Sequence, residues 1–331
     1  VNFWRENQAV QDTDPVSNGE IRYDWEVEEI LSLFSLPFFS LLDRARKIHQ
    51  KYHPPSVQLS TLLSIKTGGC PEDCAYCPQS IHYKTGVPLS PLLSVEKVLE
   101  EAKIARERGA TRFCMGGAYR FPPPGKNFDR IVEMVRKVKE IGMETCLTLG
   151  MLTRNQAFQL KEAGLDFYNH NIDTSPEFYP KIITTRTFED RLRTIQYVRE
   201  AGIALCVGGI VGMGETEWDR ARMLQVLATL KPHPESVPIN MLVKVKGTPL
   251  ENRPSPSPFE WIRMIAVARI VLPRSVIRLS AGRTSLSREA QALAFYAGAN
   301  SIFYGEKLLT TPNPSGEEDL KLLKELGLTP S

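Results

Sequence analysis

From residue 57 onward one pattern recurs along the chain: a short apolar run rich in β-branched residues, a loop, an amphipathic stretch of helical period, and a glycine where the helix would close. Gly109, Gly142, Gly164, Gly202 and Gly298 each stand where a left-handed cap would end a helix. The pattern predicts strands near 59–66, 112–116, 144–149, 166–173, 204–211, 237–245, 276–280 and 301–304, with a last helix near 317–326. Alternating units of this length build a parallel sheet with helices outside it. About eight of them is the number that closes an α/β barrel of the (β/α)8 TIM type; an open doubly wound sheet is the alternative.

Ahead of this pattern, residues 1–22 mix polar and charged types without a clear period and read as an arm. Residues 23–56 carry two stretches of helical period, 27–36 and 38–49, expected to form a helical cap over one end of the barrel domain, 57–331. Hydrophobic residues at 42% and charged residues at 24% exclude disordered and fibrous classes. The formal charge of +3, from 41 basic and 38 acidic side chains, is not gathered into any basic run, so nucleic acid is not an expected partner. The most apolar early segment, 30–42, is interrupted by Pro37 and too short to span a bilayer, so no membrane is implied either. Four carboxylates in the first twenty residues suit neither a secretory signal nor a transit peptide, which makes a cytoplasmic protein the expectation.

The chemistry is concentrated in Cys70-Pro-Glu-Asp-Cys74-Ala-Tyr-Cys77, which holds three of the six cysteines in eight residues. A four-iron cluster takes four thiolates and a structural zinc site four nitrogen or sulfur ligands, whereas the local count is three. An iron without a protein ligand is open to a small molecule bearing an amine and a carboxylate. A closed Cys3His zinc site completed by His82 is the competing reading. A disulfide framework ranks below the zinc reading, since such frameworks belong to short secreted chains and this one is long with modest cysteine content. The C-x-x-x-C-x-x-C spacing, with Tyr76 before the last cysteine, resembles the radical S-adenosylmethionine superfamily. That resemblance implies a [4Fe-4S] cluster on Cys70, Cys74 and Cys77, S-adenosylmethionine chelating the free iron, and Tyr76 beside the adenine.

The other three cysteines, Cys114, Cys146 and Cys206, fall on the second, third and fifth predicted strands. Taken singly each reads as core, because free cysteine is among the most buried residue types. Taken together, with Gly116, Gly150 and Gly208 nearby to leave room, they are a second trio, one ligand short of a two-iron cluster. Gly208-Gly-Ile-Val-Gly212-Met-Gly-Glu215 is a weak match to a dinucleotide-binding loop, with no evident acidic ribose partner. Asn169, Asn171 and Asp173 alternate along the fourth predicted strand, which would put all three on one face. Arg112 shares the strand face of Cys114 and reads as a pocket residue or half of an internal ion pair.

Longer segments resemble the biotin synthase family within that superfamily: 62–74, 111–116, 168–175, 237–250, 278–283 and 299–305. The resemblance covers nearly everything after residue 23. It implies a [2Fe-2S] cluster on Cys114, Cys146, Cys206 and Arg283, although a guanidinium, by its chemistry alone, reads first as a carboxylate partner. It also implies that Gly116, Gly117, Asn171, Asp173 and Ile210 contact S-adenosylmethionine, and that Asn171 and Asn240 contact dethiobiotin. The implied activity is sulfur insertion into dethiobiotin to give biotin, by a homodimer supplied with electrons by a flavodoxin or ferredoxin-type donor. A different radical reaction on the same fold, without the second cluster, is the alternative.

Overall fold

A computed structural model describes residues 19–331, so the expected arm lies almost wholly outside the described residues. The strands are β1 (Ser56–Lys66), β2 (Arg112–Gly117), β3 (Glu144–Thr148), β4 (Phe167–Asn169), β5 (Ala204–Cys206), β6 (Gly209–Val211), β7 (Ser236–Met241), β8 (Val276–Leu279), β9 (Ser301–Phe303) and β10 (Thr329–Pro330). All pair in parallel, and β9 returns to β1 through Gln58↔Ser301 and Leu59↔Ile302, which closes the sheet. The barrel has eight staves because β5 and β6 both pair with β7 and make one interrupted stave. Gly208 lies at the interruption: a Cβ there would stand 1.9 Å from the Pro238 carbonyl oxygen, so only glycine lets the two backbones pass. The short β10 extends the edge of β1 outside the barrel.

Seven of the eight helices that follow barrel strands begin on a serine or threonine whose side chain accepts a backbone N–H of the first turn. These are α3 (Val95–Glu107), α5 (Arg154–Glu162), α6 (Phe188–Glu200), α7 (Glu217–Thr229), α8 (Pro258–Val271), α9 (Arg288–Tyr296) and α10 (Gly316–Glu325). Each such cap satisfies a donor the helix cannot, at about 1 kcal/mol. The exception, α4 (Lys126–Glu140), starts at Gly125. The five expected closing glycines all have positive φ, between 72° and 115°. Among the described residues no helix is long and apolar enough to cross a membrane.

The two leading helices, α1 (Val27–Phe34) and α2 (Phe38–Tyr52), do not cap a barrel end as expected. They form a further layer on the side of the barrel, α1 against α7 and α8, and α2 along α8. Phe38 meets Phe259 at the start of α8, while His53 just beyond α2 bonds Arg269 and the Pro273 carbonyl at its end. The reason is legible in α8, which is buried almost all round from Trp261 to Val271. A helix apolar on every side needs cover on its outer face as well as its inner one.

This seam buries basic groups with no carboxylate beside them among the described residues. Arg269 satisfies its guanidinium on the carbonyls of Pro273, Ser275 and Gly298, and burial lowers it to about 9. Burial, then the Arg269 charge, lowers His49 to about 3 and His53 to about 4. Burial also lowers His170 and His233, so four of the five histidines resist protonation in the folded chain. Their unfolded values are near 6.5, so below that pH the unfolded chain binds protons the folded one refuses. Stability should be full above about pH 6.5 and fall as pH drops toward 4. Urea midpoints at pH 7.5 and pH 5 should therefore differ, the lower pH giving the lower midpoint; equal midpoints would contradict the burial of these rings.

Candidate metal and substrate site

Register brings the strand-borne cysteines together. Cys114 pairs directly with Cys146 across β2 and β3, and Cys206 pairs with Asn169 across β5 and β4. The three are almost fully buried, form a group of their own inside the barrel, and are flanked by Leu62, Phe167 and Phe303. Hydrogen bonds with Cys146 hold the Cys114 and Cys206 thiols below the ordinary value against the cost of burial, and Arg278 and Arg112 act in the same direction. Asn169 Nδ2 donates to Cys206 Sγ at 3.3 Å.

Arg278, on β8, is the arginine that reaches this trio. Its Nη1 lies 3.8 Å from Cys206 Sγ, its Nε donates to Ser301 Oγ at 3.0 Å and its Nη2 to Ser60 Oγ at 3.0 Å. The expectation for Arg283 is corrected. Arg283 lies beyond β8 in a short 3-10 turn and forms a doubly bonded ion pair with Asp319 of α10, at 2.6 and 2.8 Å, with further bonds to Gln291 and the Phe303 carbonyl. A guanidinium held by a carboxylate on the outer helix is not available to the interior. Parity separates the two: Arg278 sits within a strand at the level of the thiols, and Arg283 does not. Arg112 is ion-paired with Glu144 at 3.0 Å, lies 3.5 Å over the Phe167 ring, and leaves Nη1 buried without a partner.

The loop-borne trio sits above, after β1. Cys70, Cys74 and Cys77 line one cavity with Arg186, Arg191 and Gly117. Burial raises all three thiols, Cys74 to about 11 and Cys77 to about 12, so the bare thiols are protonated at neutral pH and binding a metal would release protons. His82 is exposed, with Nε2 3.0 Å from the Pro71 carbonyl oxygen, and does not join them. Among the described residues no three Cys, His, Asp or Glu side chains converge on a single ion's position. Cys70, Cys74 and Cys77 together rim a space, which suits a multi-iron cluster better than one small cation, and Cys114 and Cys146 of the strand trio line the cavity below it.

The polar residues expected on the fourth strand arrive differently. β4 ends at Asn169, and the chain turns so that Asp173 takes a φ of 68° and bridges Gly209. Asn171 Oδ1 accepts from the Gly208 N–H at 3.0 Å. Asp173 Oδ2 accepts from Tyr76 Oη at 3.0 Å and Arg191 Nη2 at 2.5 Å. Asn240 Nδ2 donates to the Gly209 carbonyl, and its Oδ1 accepts from the Ala281 N–H, both at 3.1 Å. Glu215 ties down its own glycine loop, accepting from the Gly212 and Met213 N–H groups and from Arg220.

A cavity of about 250 Å3 opens at the carboxyl ends of the strands. Cys77 of the upper trio and Cys114 and Cys146 of the lower one line it, as do Ile210 and Asn240. Tyr76, Asn171 and Asp173 line both this cavity and the one at the cysteine loop. Gly117 lines the latter, while Gly116 lies under Leu309, which comes within 2.6 Å of where a Cβ would stand. Leu309 belongs to the loop after β9, whose tip, 308–311, covers the larger cavity. No motif marked that loop; its signal, a Leu-Leu-Thr-Thr run after the last strand, is visible only once the barrel is closed.

Two family models match the chain: the Radical SAM superfamily over residues 64–227 and the Biotin and Thiamin Synthesis associated domain over residues 238–329. A biotin synthase of Hahella chejuensis is 61% identical over 94% of this chain and 88% of its own length. One from Thioalkalivibrio sulfidiphilus is 60% identical over 94% and 92%. Among solved structures, methylornithine synthase superposes with a TM-score of 0.81 at 21% identity, over 96% of each chain. The maturase HydG of Carboxydothermus hydrogenoformans does so with 0.79 at 20%, over 96% of this chain and 77% of its own. At those identities the structures establish the fold.

The Arg283–Asp319 pair is fully buried, and removing one partner strands a charge. Asp319→Ala should cost about 3–5 kcal/mol of stability in urea unfolding, without changing the iron bound after anaerobic reconstitution. Loss of iron at unchanged stability would return Arg283 to the metal site.

Proposed function

This chain belongs to the biotin synthase family of radical S-adenosylmethionine enzymes, and from that premise we propose that it inserts sulfur into dethiobiotin to form biotin. The observation that carries the proposal is the shared lining: thiols of both trios face one apolar cavity, so a substrate between them is within reach of a radical source on one side and a sulfur source on the other. When bound, a [4Fe-4S] group would supply the electron that cleaves S-adenosylmethionine to methionine and a 5′-deoxyadenosyl radical, and a [2Fe-2S] group the inserted sulfur.

In this reading Cys70, Cys74 and Cys77 hold the first group and leave one iron to the cofactor's amine and carboxylate. Cys114, Cys146 and Cys206 hold the second, with Arg278 as the fourth neighbour in place of Arg283. Asp173 is held through Oδ2 by Tyr76 and Arg191, which fixes its other oxygen for a ribose hydroxyl. Asn240 has one further N–H and one further lone pair after its two backbone bonds, the donor and acceptor pair that a urea requires. Asn171, fixed by Gly208, stands between the two ligands. Leu62, Phe303 and the 308–311 tip give an alkyl chain an apolar, water-poor surround. A homodimer and a flavodoxin or ferredoxin-type donor complete the proposal.

The test is anaerobic reconstitution with iron and sulfide, Mössbauer spectroscopy, and an assay with dethiobiotin. Two kinds of centre and biotin are expected; one kind of centre with cleavage of S-adenosylmethionine and no biotin would favour another radical reaction. Cys74→Ala should abolish cleavage. Cys146→Ala should abolish biotin formation yet retain cleavage, measured as 5′-deoxyadenosine, and equal loss of both in a protein that keeps its four-iron centre would contradict separate roles.

A further inference from the structure

Cys74 is the buried member of the loop trio, and a cation stands on it. Arg186 Nη2 lies 3.6 Å from Cys74 Sγ, and the side chain is almost fully buried. Arg186 comes from the segment between β4 and α6, far from the cysteine loop in sequence, and two sets of bonds hold the segments together. Ala75 N–H donates to the Ile182 carbonyl at 3.0 Å, and Asp73 accepts from the N–H groups of Thr184 and Thr185 at 2.9 and 3.2 Å. These bonds hold the segment that carries Arg186 against the cysteine loop, and burial of the side chain restricts its stem.

Its charge is poorly answered. Among the described residues the nearest carboxylate oxygen, Glu72 Oε2, is 3.9 Å from Nε, and that buried nitrogen makes no hydrogen bond. Glu72 itself is shared, lying 3.5 Å from Arg120 and accepting from Thr185 Oγ1. Arg191, the other buried arginine of this cavity, is by contrast closed by Asp173 at 2.5 Å. A fixed, incompletely paired cation in a low-dielectric wall stabilises added negative charge next to it.

We propose that Arg186 acts through Cys74 to set the reduction potential of the cluster on the loop trio, raising it, with Glu72 as the opposing charge. Reduction adds one electron to a group already bearing thiolates, and the guanidinium favours the more negative state. This rests on the loop trio holding an iron–sulfur cluster but not on the identity of the substrate.

Mediated redox titration of the reconstituted protein without dethiobiotin tests it, following the reduced four-iron centre by electron paramagnetic resonance. In R186Q the ratio of reduced to oxidised centre at a given potential should drop about tenfold, a midpoint shift of about 59 mV to more negative values for one electron. E72Q should shift it the other way, and R186K should stay nearer the parent than R186Q. E72Q leaves Arg186 in place, so its sign decides the matter even where R186Q fails to load iron. A midpoint unmoved in E72Q, or moved in the same direction by E72Q and R186Q, overturns the proposal. A parent protein that takes up no four-iron centre overturns the cluster assignment as well, whereas a failed dethiobiotin assay leaves the potential shift standing.

Discussion

Hydrogen-bond register around a closed parallel barrel is the constraint from which the site follows. Successive side chains on a strand face opposite sides, so one residue of slip would turn every inward group outward. Cys114 opposite Cys146, and Cys206 opposite Asn169, are consequences of β2, β3, β4 and β5 pairing in the one register their apolar faces allow. Closure of β9 on β1 then brings Ser60 and Ser301 to either side of Arg278, and their two hydroxyls direct its guanidinium at Cys206. None of these contacts is local. They exist because the sheet returns on itself.

What was legible beforehand is what the chain writes locally. Helix ends are marked by positive-φ glycines, and the loop trio by its own spacing. Their places on predicted strands also let Cys114, Cys146 and Cys206 converge in one interior. The choice between Arg278 and Arg283 was open to the same reasoning, since only the first lies within a strand, yet it was made by resemblance to a motif that contains both. Position within a strand is the stronger guide: five residues along the chain, beyond β8, the second guanidinium is committed to Asp319 of α10.

The remaining misses share a physical cause. Alternation in 166–173 reads as one regular strand, but regularity ends at Asn169: the His170 and Ile172 N–H groups still bond the Cys206 and Gly208 carbonyls, while Asn171 takes the Gly208 N–H and Asp173 adopts the left-handed region as it bridges Gly209. Side-chain bonds to backbone compete with the ladder there, and no periodicity reports them. The lateral placement of α1 and α2 depended on noticing that α8 has no polar face. Likewise the cover formed by 308–311 depends on Asn313 bonding the Phe303 and Gly305 carbonyls, which bends the loop back toward the cavity.

The two trios differ in how they are built, and the difference matches different demands. Strand-held thiols cannot move apart without breaking the barrel, and Cys206 already takes bonds from Asn169 and Arg278. Loop-held thiols rest on a bend whose shape is maintained from outside, through Gln79 Oε1 on the Gly68 N–H, Asp73 on Thr184 and Thr185, and Ala75 on Ile182. A group that must keep an open face toward an exchangeable cofactor belongs on a braced loop at the mouth, where ligands can enter and leave. Under the proposed function, one that delivers an atom to a substrate already seated belongs deeper, at the floor of the cavity that Cys114 and Cys146 line.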